Sequence, residues 1–426
     1  MNIAIIGAGY VGLPLATAFA KYYSVVCYDV NQTRVLELLK GIDSNKQHSK
    51  KDILNKNLVF TDDPNLLKKM DTYIIAVPTP INLSNQPDLR MLEQASLLVG
   101  KYIKKNSTII YESTTYPGCT EEFCIPLLEE GSSLKCVKDF FVAYSPERVN
   151  PGDKVNTLKT ITKIVGANDL KTLKKVSKLY KTVCKSIYTV NSIKVAESAK
   201  VIENIQRDIN IALVNELSVL FHKLNIPTNE VLNAAATKWN FHYYKPGLVG
   251  GHCIGIDPYY LAYKAEQHNY FPQLILSGRR FNENMGRYIA TQTAHLLSKK
   301  GITTSNAKIA ILGFSFKENI PDCRNTKVIQ IINELKNWKA NVEVFDPHVS
   351  ISKVKDDYGI TIKKLKDLKK HKFDVIILAV SHNEFFKKLS YYNFFYKNKN
   401  KKIMIDIKNV FHENELIKNK YDYFQL

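Results

Sequence analysis

The chain has 426 residues, 45% hydrophobic and 23% charged, enough apolar material for roughly two to four packed domains, which excludes the disordered, collagen-like and low-complexity classes. No apolar run reaches the roughly 18 residues of a membrane span, and the first apolar stretch runs into glycines without a basic leader, so no membrane association and a cytoplasmic location are expected. The formal charge is +20, but it comes from 52 Lys and only 8 Arg, dispersed among Asn, Ile and Tyr instead of grouped with aromatics on one stripe, which argues against a nucleic-acid partner.

Seven cysteines, Cys27, Cys119, Cys124, Cys136, Cys184, Cys253 and Cys323, form neither a paired framework nor metal-type spacing, as expected in a reducing compartment with no metal centre. Along the chain, residues 2–6 read as a strand, 13–21 as a helix and 24–29 as a second strand, one βαβ unit. Further buried strands are expected at 72–77, 107–111 and 140–143, so the N-terminal region reads as a parallel sheet with helices on both faces, ending near residue 190. From 193 to 224 there is no helix breaker, and Val201, Ile205, Ile209 and Ala212 with Ile202, Leu213, Leu217 and Leu220 follow helical spacing over roughly 45 Å. Helices are also expected at 229–237, 257–268 and 273–299. Strands at 308–313, 342–345, 375–380 and 403–407 make a second, shorter doubly wound unit, and 397–402 reads as a solvated loop.

Two stretches carry chemistry. Gly7-Ala8-Gly9-Tyr10-Val11-Gly12 lies between a strand and a helix, and Asp29 closes the next strand. Gly7 permits the tight turn, Gly9 lets the backbone approach a pyrophosphate at the helix N-terminus, Gly12 allows close packing, and Asp29 can accept from ribose hydroxyls. The acid favours NAD over NADP, with Arg34 leaving that choice open. The second stretch, residues 247–258, sets Cys253 among Gly247, Gly250, Gly251 and Gly255, a backbone that cannot easily be a strand or helix interior. An exposed thiol is expected there, lowered in pKa by a helix starting at Asp257-Pro258; a small buried hydrophobe is the alternative, and the expectation for the other cysteines. His252 is disfavoured as its base, because neighbours on extended chain face opposite ways.

Five motifs in order, Gly7 to Gly12, Val77-Pro78-Thr79-Pro80, Glu112-Ser113-Thr114-Thr115, Ser145-Pro146-Glu147-Arg148 and Gly250-Gly251-His252-Cys253-Ile254-Gly255-Ile256-Asp257-Pro258, resemble the UDP-glucose/GDP-mannose dehydrogenase family. A sixth, Gly313-Phe314-Ser315-Phe316-Lys317-Glu318 with Arg324 downstream, resembles the family's C-terminal segment. The resemblance implies an α/β protein of two doubly wound, Rossmann-like parallel-sheet domains joined by a central helical domain with a long helix. It divides into an NAD-binding domain (1–192), a helical dimerisation and cysteine domain (193–300) and a UDP-sugar-binding domain (301–426).

The implied reaction oxidises a sugar C6 alcohol to a carboxylate with two NAD, through a thiohemiacetal and a thioester on Cys253. In that scheme Lys200 stabilises the oxyanion, Asp257 with Lys200 orders water or handles protons, Glu147 and Thr114 assist hydrolysis, and Asn204 shares the helix face of Lys200 and Asp208. Cofactor contacts are implied for Gly7, Gly9, Tyr10, Val11, Gly12, Asp29, Arg34, Val77, Thr79, Thr114 and Arg324, and substrate contacts for Glu147, Arg148, Lys200, Asn204, Arg207, Gly250 and Lys317. Residues 252–261, 237–241 and 206–210 resemble the branch acting on UDP-N-acetylhexosamines, with Arg207, Asn210 or Trp239 as candidates for the acetamido pocket. UDP-N-acetylglucosamine is the expected substrate, for surface polysaccharide synthesis. UDP-GalNAc, UDP-ManNAc, UDP-glucose and a non-catalytic NAD-responsive binding protein are the alternatives. A homodimer or higher homo-oligomer is implied. Lys238 and His242 stand where the UDP-glucose branch carries a cross-subunit arginine, leaving that contact open.

Overall fold

The computed structural model describes every residue except 46, 150–152, 154, 252–253, 387–391, 393–394, 398–400 and 412–420. Two compact units divide the chain: Met1–Asn204 with Tyr259–Pro272, and Ile205–Pro258 with Gln273–Leu426. No helix among the described residues is long and apolar enough to cross a membrane.

In the first unit, β1 (Asn2–Ile6), α1 (Gly12–Phe19) and β2 (Ser24–Tyr28) form the anticipated βαβ start. They are followed by α2 (Gln32–Leu39), α3 (Lys50–Ile53), β3 (Leu58–Thr61), β4 (Thr72–Ile75), α4 (Arg90–Gly100), β5 (Thr108–Tyr111), α5 (Ile125–Ser132), β6 (Phe141–Tyr144), β7 (Thr162–Ala167), α6 (Leu170–Tyr180) and β8 (Ser186–Val190). The eight strands lie in the order β3-β2-β1-β4-β5-β6-β7-β8. β4 and β5 are buried at every position, because helices cover both faces and leave no polar alternation. One pairing departs from the all-parallel expectation: β6 and β7 run antiparallel, Ala143 opposite Ala167. β3, β7 and β8 are strands that periodicity did not single out.

α7 (Ile193–Leu224) has the expected bounds and spans the division between the units. α8 (Thr228–Ala235), α9 (Asp257–Gln267) and α10 (Gln273–Lys299) follow. The second sheet comprises β9 (Lys308–Leu312), β10 (Asn341–Phe345), β11 (Ile362–Lys363), β12 (Val375–Leu378), β13 (Lys402–Asp406) and β14 (Tyr421–Gln425), with α11 (Val328–Asn337) and α12 (Ile351–Tyr358) between them. Its order is β11-β10-β9-β12-β13-β14, parallel throughout. The expected loop at 397–402 falls partly outside the described residues, and its last residue, Lys402, opens β13 and is buried. In both sheets the strand order reverses beside the first strand, so crevices form outside the carboxyl ends of β1/β4 and β9/β12.

Candidate active site

The glycine turn of the first unit separates structural glycines from a permissive one. Gly7 has φ +100° and its Cβ would sit 2.8 Å from the Ala76 carbonyl, while a Cβ on Gly12 would lie 1.8 Å from the Gly7 oxygen. Gly9, between them, meets no protein atom within 4 Å, so only something lying over the turn requires it to be bare. Asp29 draws the turn in: one carboxylate oxygen accepts from the Ala8 N–H at 2.7 Å and the other from the Asn31 N–H at 2.9 Å. Arg34 is already committed, donating to the Ala8 carbonyl at 3.1 Å and to Asp43 at 2.8 Å. These residues fit a dinucleotide: a bare Gly9 at the start of a helix, and an acid at the end of β2. Tyr10 and Val11 complete the turn, partly buried.

At the adjacent strand ends, the Thr79 hydroxyl donates to the Thr114 carbonyl at 2.7 Å and the Ser113 hydroxyl to the Val77 carbonyl at 2.7 Å. Side chains thereby stitch the segments after β4 and β5 together. Behind them lies a buried charge cluster: Lys163 on β7 reaches Glu112 at 2.5 Å and Glu147 at 3.7 Å, and the Tyr180 hydroxyl donates to Glu112. Burial pushes Glu112 up to about 7 against the opposing Lys163 ammonium. Glu147 also accepts from the N–H groups of Arg148 and Val149, at 2.7 and 2.5 Å. Arg148 does not pair with Glu147; it bridges to Glu203 on α7 at 2.8 Å. Lys200 and Asn204 on α7 are buried, 7% and 6% exposed, and not the solvated helix face that such residues usually make.

In the second unit, Cys253 and His252 lie outside the described residues, but the chain on either side is fixed. Asn215 of α7 brackets Gly247, donating to its carbonyl at 3.0 Å and accepting from its N–H at 2.8 Å. A Cβ on Gly250 would lie 2.8 Å from the Asn325 carbonyl, and one on Gly251 (φ +84°) 2.8 Å from the Phe316 ring. Asn325 donates to the Gly251 carbonyl at 3.0 Å. The glycine loop is therefore laid on the segment after β9 that carries Lys317 and Arg324. Arg324 forks onto Asp322, at 3.0 and 2.6 Å, and Asp257 is buried at the start of α9.

A buried ladder stands behind Asn325. Lys327 donates to Asn325 at 3.0 Å and to Glu283 at 2.8 Å; Arg279 pairs with Glu283 and, at 2.5 Å, with Asp208. Burial raises Asp208 despite Arg279, whereas at Glu283 the effect of burial is outweighed by Lys327 and Arg279, which hold it low. By contrast Arg207 and Trp239 are exposed, Trp239 at 92%, and Asn210 donates back to Gln206 on its own helix. The turn after β9 repeats the first unit's logic. Gly313 has φ +92°, and Asp346, after β10, accepts from the N–H groups of Phe314 (2.7 Å), Ser315 (3.1 Å), His348 (2.7 Å) and Val349 (3.0 Å). His382 Nδ1 accepts from the Asn319 N–H at 2.9 Å, which leaves Nε2 to donate to Asp346 at 3.0 Å.

Sequence reasoning passed over Glu197, Lys163, Arg279 and Asn325. Only Glu197 had a local signal, its place one turn before Lys200 on the same helix face.

Comparison with known proteins matches three domains of the UDP-glucose/GDP-mannose dehydrogenase family: the NAD binding domain over residues 1–184, the central domain over 194–284 and the UDP binding domain over 310–413. The chain is 49% identical over 417 residues to Protein CapL of Staphylococcus aureus, covering 97% of each. It is 48% identical over 387 residues to the UDP-N-acetyl-D-glucosamine 6-dehydrogenase of Salmonella typhi, covering 90% of this chain and 91% of that protein. Among solved structures, the UDP-D-ManNAc dehydrogenase of Pyrococcus horikoshii superposes with a TM-score of 0.89 at 32% identity, over 100% of this chain and 99% of the other.

Proposed function

The chain belongs to the UDP-glucose/GDP-mannose dehydrogenase family, and from that membership we propose that it is an NAD-dependent UDP-N-acetyl-D-glucosamine 6-dehydrogenase. The observation that carries the choice of sugar is the 48% identity to a relative of that name, against 32% to one named for the ManNAc sugar. The Gly7–Asp29 arrangement supports NAD as cofactor. Two NAD, bound in turn, would each supply the acceptor for one of the two hydrides that leave the sugar C6 carbon.

Cys253 adds through sulfur to the aldehyde carbon formed by the first oxidation, keeping it from escaping as a thiohemiacetal. Once that carbon has been oxidised to the thioester, water attacks, the C–S bond breaks, and the carboxylate and thiol are released. Lys200, buried on α7, balances charge on the sugar oxygen, with Asn204 on the same helix face. Asp257 takes the proton of the attacking water, with Glu147 and Thr114 assisting. Lys317, Gly250, Arg148 and Arg207 bind substrate, and Arg324 contacts the cofactor. The division into 1–192, 193–300 and 301–426, a homodimer paired through α7, and a product feeding a surface polysaccharide complete the proposal. The exposed apolar residues Ile202, Leu213 and Leu220 of α7 support the pairing.

A panel of UDP-GlcNAc, UDP-GalNAc, UDP-ManNAc and UDP-glucose, each with NAD and followed by NADH formation and product mass, tests it. Fastest turnover of UDP-GlcNAc to the acid with two NADH per sugar is expected; activity on UDP-glucose alone would overturn the branch. Cys253→Ala is expected to abolish acid formation while NAD still binds.

A further inference from the structure

The segment after Thr114 has no regular structure of its own until a π-helical turn begins at Thr120. Gly118 holds φ +94°, and a Cβ there would lie 2.5 Å from Glu122. The N–H groups of a chain bent this way have no strand or helix partner and must find one elsewhere. They find it in Glu197, which is fully buried. One of its carboxylate oxygens accepts from the Thr115 hydroxyl (3.1 Å), the Thr120 N–H (2.9 Å) and the Thr120 hydroxyl (2.7 Å); the other accepts from the Gly118 N–H at 2.6 Å. Four donors onto one carboxylate are what an acid needs to stay buried.

The carboxylate is more than a local clasp, because both things it joins lead to reacting groups. On one side Thr114 precedes the segment and is stitched to Thr79. On the other, Glu197, Lys200 and Asn204 are spaced i, i+3 and i+7 along α7 and share one face. The segment's outer side is closed by α9, where the Tyr116 ring packs 5.5 Å from that of Tyr263 and Lys264 pairs with Glu122 at 2.5 Å. We propose that Glu197 is a positioning residue for the dehydrogenase reaction, fixing the Thr79–Thr114 strap against the helix turn that presents Lys200. The inference rests on the functional reading above. It touches neither substrate nor cofactor; it sets the distance between groups that do, and a displacement of about 1 Å there costs up to roughly 100-fold in rate.

Glu197→Gln and Glu197→Ala in the full chain test it. Glutamine keeps the oxygen that serves Thr115 and Thr120 but turns an amide toward the Gly118 N–H, so it is a partial replacement. With UDP-GlcNAc and NAD, kcat per titrated active site is expected to fall about tenfold for Gln and further for Ala, with KM for the sugar nucleotide changed less than about threefold. A carboxylate that only stabilised the fold would lower Tm and the fraction of active sites but leave kcat per active site alone; that result, within about twofold of the parent chain, overturns the proposal. A parent chain inactive on every sugar in the panel sinks the functional reading instead. Calorimetric NAD affinity then decides the positioning claim, about tenfold weaker in Glu197→Gln if the strap has moved, and unchanged if it has not.

Discussion

Gly9 and Gly12 of the nucleotide turn differ in what they are for, and single substitutions should separate them. A methyl at position 12 collides with the Gly7 carbonyl at 1.8 Å. Gly12→Ala is therefore expected to destabilise the first unit by about 1–3 kcal/mol or more, seen as a lower urea midpoint. Gly9→Ala has no protein neighbour to strike, so its midpoint should stay put while NAD affinity, measured by calorimetry, falls by about tenfold or more. The thiols divide in the same way. Burial pushes Cys184 up to about 12 and Cys136 up to about 11, and Cys119 and Cys323 are also raised. Raised thiols are neutral and slow toward alkylation below those values. At pH 8 iodoacetamide should label one site quickly, and peptide mapping should find Cys253; rapid labelling of Cys136 would contradict it. The glycines and Asp29 were legible because their job is set by neighbours in sequence. Glu197 and Lys163 were not, because a charged residue reads as solvated until it is known what covers it, and their partners lie far along the chain.

Helices were read more sharply than strands. α7 and α10 have the expected bounds because neither contains a proline or a run of small polar residues to end it early. β8 was overlooked because its burial alternates weakly at the sheet edge, and β11 because it has only two residues. Asp208 was placed correctly on the polar face of α7, but nothing local announced Arg279, on α10, as its partner. Removing that guanidinium strands the buried Asp208 without its cation and leaves Glu283 to Lys327 alone, so Arg279→Met is expected to cost about 3–5 kcal/mol by chemical denaturation. Lysine should recover only part of this, since its ammonium is a single point charge without the planar fork with which the guanidinium meets Asp208 and Glu283 through different nitrogens. The Asp346 turn carries a pH signature. Burial would raise this carboxyl, but His382 and the N–H groups of Phe314 and His348 outweigh it and hold it at about 2, against 3.8 when unfolded. A depressed acid stabilises above its unfolded value, and that contribution is lost as pH falls through the folded one. Stability should drop by roughly 2 kcal/mol between about pH 4 and pH 2, and Asp346→Asn should be less stable near neutrality yet flatter across that window.

At the scale of the molecule, both doubly wound sheets were evident from alternating strand and helix signals. The reversal at β7 was not, because strand direction depends on pairing and leaves no mark on hydrophobic periodicity. Ile202, Leu213 and Leu220 face outward from α7, more than 45% exposed in this single chain. Light scattering is expected to give at least twice the chain mass, and Leu213→Glu with Leu220→Glu to shift it toward the monomer. The interleaved division has a further consequence, for how the protein is born. A ribosome releases residues 1–204 well before 259–272, the stretch whose Tyr260 hydroxyl bonds Pro80 and whose Lys264 holds Glu122. Those two contacts must wait while the intervening chain is translated. A fragment truncated after residue 204 would lack both contacts permanently, which makes it an incomplete surrogate for the nucleotide half of the enzyme.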